Sequence, residues 1–531
     1  MPDAPRKLPI GIQNFRQIIT EGYAYVDKTA HALALAETGK AYFLSRPRRF
    51  GKSLFVDTLK ELFEGNEPLF RGLFIHDRWD WQRRYPVILL DFAAGVVQSR
   101  EELDQRIYRL LLDNGERLGI ACDWERNDIA GCFGDLIRHA RDQSGQPVVV
   151  LVDEYDKPIL DNIDRPAAAA EIREGLKNLY SVLKPQDANL QFVFMTGVTK
   201  FSKVSLFSGI NQLHDITLSA RSATLCGYTQ RDLETTFAAH LAGVDGAELR
   251  RWYNGYGFLG EPVYNPFDIL LFISEGHSYR NYWFETGNPS FLIKLFQRQR
   301  YFLPDLEQLE VSEEILDSFD LERINPVTLL FQSGYLTVVG TSTRRGRLIF
   351  HLSVPNQEVR LALHDQLITG YTGIENERLR LQDGLYDTLA AGDIPALIAT
   401  IRRLFAGIPW RNFTGNDLAE AEGYYASVLY AFLASLDAQV IPEDLSNQGQ
   451  VDLTVKIAGY TYVMEIKLRQ GATPSGAEPD EATANPALAQ IQARGYSAKY
   501  RGQPGKGLFE VGLVFGRTER NLVQADWRVV P

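Results

Sequence analysis

Residues 40–63, KAYFLSRPRRFGKSLFVDTLKELF, decide the fold class. KAYFLS is a short apolar run of strand length, and after it Leu54, Phe55, Leu59, Leu62 and Phe63 recur at helical spacing. Strand, loop, Gly-Lys-Ser and helix is the setting in which a phosphate-binding loop is credible. The first N–H groups of a helix lack intrahelical acceptors and its dipole favours negative charge there, so phosphate oxygens fit. In such a loop Lys52 reaches the β/γ-phosphates and the Ser53 hydroxyl holds Mg²⁺, with Arg49, Phe50, Gly51 and Leu54 completing the cradle. The stretch departs from G-x-x-x-x-G-K-[ST] at its start. Arg46 stands at the first glycine, and Pro47 has no N–H and pushes its predecessor toward extended backbone. The first half of the loop therefore has another shape. Read alone, the same residues also suit a basic turn before a surface helix.

Three more apolar runs end in polar residues. QPVVVLVDEYDKP (146–158) is a continuous run of the kind buried on both faces of a parallel sheet, ending at Asp153-Glu154. Asp153 at the carboxyl edge of such a sheet holds Mg²⁺ directly or through water, and Glu154 polarises the attacking water. The bland alternative is an acidic pair capping the next helix. LQFVFMTG (190–197) carries Thr196 near its end, placed to sense a γ-phosphate, and YPVILLDFA (85–93) reaches Asp91. Apolar strands alternating with helical stretches predict a doubly wound α/β sheet. In the middle region YTQRDLETTFAAHL (228–241) opens with a threonine suited to cap a helix. Tyr253, Asn254, Tyr256, Trp283 and Phe284 form aromatic clusters that either stack on bases or fill a core.

A second informative stretch is QVDLTVKIAGYTYVMEIKLR (450–469). It predicts a β-hairpin turning at Ala458-Gly459, with Asp452, Thr454 and Lys456 on one face of the first strand and Glu465 and Lys467 together on the second. If the strands pair, Asp452 lies near Glu465. Two carboxylates binding Mg²⁺ (or Mn²⁺) and a lysine orienting water or stabilising phosphoryl charge make a metal-dependent phosphodiesterase site. The alternative is a solvated hairpin face. Glu422, in the preceding helical stretch, and Glu443, before the hairpin, are accessory candidates.

GIQNFRQIITEGYAYVDKT, FLSRPRRFGKSLFVDTLKELFEG, VVVLVDEYDKPI and FMTGVTKFSKVSLFSGINQL, followed by RWYNGYGF, VYNPFDILLF, YWFETGNPSFL and LLFQSGYLTV, resemble the bacterial AAA-ATPase-like family with a C-terminal PD-(D/E)XK nuclease domain. The resemblance implies that Arg-Pro-Arg-Arg-Phe-Gly-Lys-Ser is the family form of the loop. It also implies ATP rather than GTP, and a helical lid with a winged-helix-like element in the middle. The α-β-β-β-α-β order around the hairpin looks like the PD-(D/E)XK core, and the helix NPALAQIQARGYSAKY places Gln490 at its site. The expected division is an AAA-like domain over 1–225, lid and winged-helix-like region over 226–375, helical connector over 376–410 and nuclease-like domain over 411–531.

At 531 residues the chain suits about three domains of ~150 residues each. Its formal net charge of −11 does not attract nucleic acid by itself, so contact with DNA has to come from local basic patches. Cys122, Cys132 and Cys226 are an odd set without paired spacing, which argues against a disulfide framework or zinc site and for a reducing compartment. No apolar run approaches the ~18 residues of a membrane span, and MPDAPRKLPIGIQNF has no secretory h-region, so a cytoplasmic location is expected. The expected activity is ATP binding and hydrolysis coupled to cleavage of nucleic acid, with DNA preferred. A nucleotide-dependent switch or scaffold with a non-catalytic nuclease-like domain is the alternative, and a ring-forming homo-oligomer stays open.

Overall fold

In the computed structural model the described residues are 5–121, 128–200, 212–283, 293, 295–296, 301–307, 309–316, 324–409, 422–436, 438–470 and 484–531. Phe284 lies outside them, as do most of YWFETGNPSFL and residues 201–211 of FMTGVTKFSKVSLFSGINQL. The chain forms two compact units, Met1–Glu285 with Glu310–Glu358, and Thr286–Leu309 with Val359–Pro531.

The first unit is built on five parallel strands: β1 (Ala41–Ser45), β2 (Val87–Asp91), β3 (Val148–Asp153), β4 (Leu190–Gly197) and β5 (His214–Asp215), in the order β2-β3-β4-β1-β5. All six residues of β3 are buried because helices cover both faces. On one face Val148, Val150 and Val152 pack with Leu103, Ile107, Phe133, Ile137 and Leu176 from helices Arg100–Leu118, Ile129–Ser144 and Pro166–Ser181. On the other, helix Lys52–Phe63 lays Phe55 against Phe194 and Phe63 against Phe192, at ring separations of 5.5 and 5.0 Å. Registers of Leu44 with Thr196 and of Asp91 with Asp153 bring the carboxyl ends of the strands to one edge, where ligands bind in open α/β sheets. The two-residue β5 was too short to be legible as a periodic run.

The middle of the chain is mainly helical. Thr229 and Asp232 form a reciprocal capping box for helix Gln230–Thr236, as the sequence predicts, although the helix stops before Phe237. Helices Gly246–Tyr253 and Pro266–Ser274 follow, then a small sheet of β6 (Leu309–Ser312), β7 (Thr337–Arg344) and β8 (Arg347–Ser353) in the order β6-β8-β7. Tyr253, Tyr256 and Trp283 are buried, so these aromatics fill a core and do not stand ready for bases.

In the second unit β9 (Gln439–Ser446), β10 (Gly449–Ile457), β11 (Tyr460–Arg469), β12 (Gly507–Gly516) and β13 (Asn521–Val530) form a sheet ordered β13-β12-β11-β10-β9. β11 and β12 pair in parallel, which requires a crossover, and helix Pro486–Arg494 lies within it. That helix packs on β11 and β12. The alternative of a solvated hairpin face therefore does not hold at Glu465. Val463 and Glu465 are 0% and 2% exposed, because the helix returning from the crossover covers that face. β13 pairs antiparallel with β12 and was not anticipated, since its residues lack clean alternation. Helix Glu422–Ala434 is buried on nearly every side, which is why its sequence is apolar all round.

Candidate functional site

Two sites emerge, one in each unit. In the first, the turn after β1 is set by Arg49 and Gly51, at φ +68° and +91°. A Cβ at Gly51 would meet nothing within 4 Å, so glycine is needed there for its backbone conformation alone. No side chain caps helix Lys52–Phe63, which leaves its first turn oriented as an anion receptor. The Lys52 ammonium is 4% exposed and donates to the Arg46 and Pro47 carbonyls, 3.0 Å each, inside the loop it serves.

Arg46 explains the missing first glycine. Its guanidinium turns inward at 1% exposure and donates to the carbonyls of Ser45 (2.9 Å), Thr217 (2.7 Å) and Ser222 (3.1 Å). It also lies 3.8 Å over the Phe258 ring, and burial lowers its pKa to about 10, leaving it charged at neutral pH. The arginine is thus a strut from the loop to residues 217–222. Arg46→Gly, which restores the general motif, is expected to lower unfolding stability by about 3 kcal/mol or more, because buried carbonyls lose their donor. Urea unfolding checks this, and a variant as stable as the parent would remove the strut.

Asp153 ends β3 at 4% exposure and accepts from the Glu154 N–H at 2.9 Å. It does not cap the next helix, Lys157–Leu160, whose N-cap is Asp156. Burial pushes the Asp153 carboxyl up to about 6, opposed by a hydrogen bond from Ser53 and the charge of Lys52. Ser53, Lys52 and Asp153 therefore meet at the sheet edge. Glu154 sits at φ +52°, a costly conformation for a side chain with a Cβ. Thr196 is fully buried and donates to the Leu44 carbonyl at 2.9 Å, so the strand that bears it is tied to the loop strand. Asp156, which sequence reasoning passed over, is fully buried and accepts from the N–H groups of Val198 and Thr199 and from the Thr199 hydroxyl. A Cβ on Gly197 would come within 2.3 Å of it, so that glycine permits the approach.

Beside Phe50 and Leu54 opens a largely apolar cleft lined also by Tyr25, Val26, Leu225 and Tyr228. The cleft is small and its walls are mostly apolar, and it lies directly beside the Gly51 turn. These residues went unassigned because their segments lie far apart in the chain. Lys28, 2.8 Å from Asp232, ties the two segments together.

Helix Pro266–Ser274 adds a buried acid pair. The Arg49 guanidinium rests 3.8 Å over Phe267, and next to it Asp268 faces Glu358, both 0% exposed. Glu358 Oε1 accepts the N–H groups of Tyr282 (2.5 Å) and Trp283 (2.8 Å), while Glu358 Oε2 and both Asp268 oxygens have no donor. A proton shared between the two carboxyls satisfies two of these three oxygens. Desolvation raises Asp268 strongly and Glu358 to about 7, with Arg49, Tyr253, Tyr256 and Tyr335 as the other groups nearby. Raised folded-state pKa values give stability that is complete below the unfolded carboxylate value of about 4 and lost as pH rises through about 7. Asp268→Asn keeps a donor for Glu358 and is expected to flatten this fall by about 1.4 kcal/mol per pH unit. Urea unfolding between about pH 5 and pH 7 reads the difference; an unchanged slope would mean that Asp268 carries no extra proton.

In the second unit, Leu453 opposite Met464 fixes the hairpin register and sets Asp452 near Glu465. Asp452 Oδ2 accepts the Ile466 N–H at 2.7 Å. Glu465 Oε1 receives Lys467 Nζ at 2.8 Å and Gln490 Nε2 at 2.5 Å. Glu422 joins them, accepting the Leu468 N–H at 3.0 Å and lying 3.6 Å from Lys467. Glu443 does not: it is exposed on β9 and accepts from Gln450 at 3.4 Å. Its neighbour Asp444 is the buried one, accepting from Thr454 at 2.7 Å and Tyr500 at 2.5 Å. Burial, then the charge of Glu465, push Asp452 up to about 7. Glu465 Oε2 is buried without any partner. Two crowded carboxylates with an orphaned oxygen are short of positive charge, so their chemistry fits a hard divalent cation such as Mg²⁺, which commonly takes one or two carboxylates and keeps water. Among the described residues no group of three or more His, Cys, Asp or Glu gathers into a fuller cage. None of the described helices is long and apolar enough to cross a membrane.

Residues 9–207 match the family described as "Predicted AAA-ATPase", and residues 420–525 match the "PD-(D/E)XK nuclease superfamily". The chain is also similar to a chain of Azotobacter chroococcum mcd 1 described as "Uncharacterized protein in vnfD 5'region". The two are 48% identical over 520 residues, which is 98% of each.

Proposed function

The chain belongs to the family of predicted AAA-ATPases that carry a PD-(D/E)XK nuclease superfamily domain, and on that premise we propose that it is an ATP-hydrolysing, Mg²⁺-dependent nuclease acting on DNA. The observation that carries the reading is the meeting of Asp452, Glu465, Lys467 and Gln490, with one buried carboxylate oxygen left without a partner.

We assign nucleotide chemistry to 1–225 and strand cleavage to 411–531, with 226–375 as lid and winged-helix-like region and 376–410 as connector. Lys52 binds the β/γ-phosphates, Ser53 and Asp153 hold Mg²⁺, Glu154 orients the attacking water and Thr196 senses the γ-phosphate. Arg49, Phe50, Gly51 and Leu54 shape the cradle. In the nuclease site Asp452 and Glu465 hold the divalent ion, and Lys467 orients the attacking water or steadies phosphoryl charge. Gln490 holds the Glu465 carboxylate in place, and Glu422 holds Lys467. A bound Mg²⁺ or Mn²⁺ supplies Lewis acidity and a lowered water pKa.

The test is cleavage of plasmid, linear duplex and single-stranded DNA, with an RNA control, by the whole chain with and without metal and ATP. Metal-dependent cutting supports the reading. No cutting of any substrate under any condition returns the chain to a nucleotide-dependent switch or scaffold.

A further inference from the structure

At the turn end of the β10–β11 hairpin lies a polar pocket of about 480 Å³, rimmed by Lys456, Arg501 and Lys506. Among the described residues these three cations take part in no ion pair, whereas the adjacent Lys499 is paired with Asp444. Two of them rest on aromatic rings instead, Lys456 at 4.6 Å from the Tyr500 centroid and Lys506 at 5.6 Å from that of Tyr460. The walls are held in place. Lys506 N–H donates to the Gly459 carbonyl at 2.6 Å, pinning the glycine-rich 502–507 segment to the hairpin turn, and Tyr500 is anchored on buried Asp444. A chain with net charge −11 repels polyanions overall, so uncompensated cations gathered at one pocket are the local exception.

One of the three cations, Lys456, shares a strand face with the carboxylate site. Asp452, Thr454 and Lys456 share one face of β10, and Lys456 stands opposite Thr461 as Thr454 stands opposite Val463. Four residue steps along β10 place Asp452 and Lys456 about 14 Å apart. Thr454, fully buried, and Tyr500 close the space between, so the pocket is a separate subsite.

We propose that this pocket binds the phosphodiester backbone of the nucleic-acid substrate, holding it about four nucleotide steps from the scissile bond, at ~3.4 Å of rise per step. The proposal rests on the nuclease reading of this domain. Phosphates are met by three unpaired cations, and the polar pocket between them leaves room for a sugar-phosphate chain.

The experiment is fluorescence anisotropy of labelled single-stranded and duplex oligonucleotides with the full chain carrying Glu465→Ala, so that nothing is cut. Adding Lys456→Ala, Arg501→Ala and Lys506→Ala is expected to weaken binding at least ~10-fold and to shrink the log K against log salt slope by about 2–3. Arg501→Ala alone is expected to shrink the slope by about 0.7–0.9, one contact's share. Thermal midpoints equal to the parent's confirm folding of these surface variants. Unchanged affinity and slope, or a parent that binds no oligonucleotide, overturns the proposal. Inorganic phosphate is the second arm. If it raises the parent's thermal midpoint and not the triple variant's, while oligonucleotide binding is equal in both, the pocket takes a small anion and the proposal falls. The nuclease reading has a separate readout: it stands or falls on whether Glu465→Ala stops cleavage, whatever the slope does.

Discussion

Glu465→Ala is expected to reduce metal-dependent strand cleavage by at least ~10³-fold, equivalent to about 4 kcal/mol of activation free energy. The side chain is 2% exposed, one oxygen holds Lys467 and Gln490, and the other has no partner. Its removal deletes a ligand for the divalent ion and releases the lysine that it positions. Folding is not expected to suffer in proportion, because burial already disfavours the charged carboxylate. The variant should therefore unfold near the parent's midpoint while losing activity. Lys467→Ala should slow the cleavage step yet leave Mn²⁺ binding close to normal, which separates the lysine's role from the carboxylate's. Single-turnover cleavage and a metal titration measure both. Wild-type rates in Glu465→Ala would move the chemistry elsewhere and remove the nuclease assignment.

Lys52→Ala is expected to weaken ATP binding by about 10²-fold and to take hydrolysis below detection. Charge-assisted hydrogen bonds of about 1.5–3 kcal/mol each are lost from the phosphates. The same substitution leaves the Arg46 and Pro47 carbonyls without the buried ammonium that now bridges them, so the loop loses its internal tie. Asp153→Asn offers the contrast: phosphate contacts remain, the Mg²⁺ ligand is weakened, and hydrolysis should fall further than binding. Isothermal titration and phosphate release distinguish the two variants. Cleavage by Lys52→Ala then tests coupling. Coupling through two arrangements requires ATP to bind them with different affinity. Cutting that ignores both ATP and the substitution would leave two independent activities in one chain.

Local patterns were legible before any tertiary contact. The run PVVVLVD suited a strand buried on both sides, and β3 is one. Thr229 announced a helix cap, and alternation around Ala458-Gly459 announced the β10–β11 hairpin that brings Asp452 to Glu465. These features depend on residues within a few positions of each other, where periodicity and backbone preference act directly. The shape of the loop's first half was legible only as a departure from the general motif. Its cause, Arg46 bonded to Thr217 and Ser222, lies some 170 positions away.

The same distinction separates the site residues. Lys52, Ser53 and Asp153 were legible because each follows an apolar run, and the end of a strand is a local property. Tyr25 and Leu225 beside Phe50, the Asp268–Glu358 pair, and the pocket rimmed by Lys456, Arg501 and Lys506 join distant segments. Glu443 and Asp444 show the limit most sharply. They are neighbours in sequence with alike chemistry, yet one is exposed and the other is buried under Tyr500 and Thr454. By itself the sequence determined the longer, strongly patterned strands and helices and the Gly-Lys-Ser turn, because chain neighbours encode them; β5 and β13 lacked such a pattern. Which carboxylates are buried, which cations stay uncompensated and what covers each sheet face were decided by the tertiary structure, since burial and charge balance depend on elements packed from far along the chain.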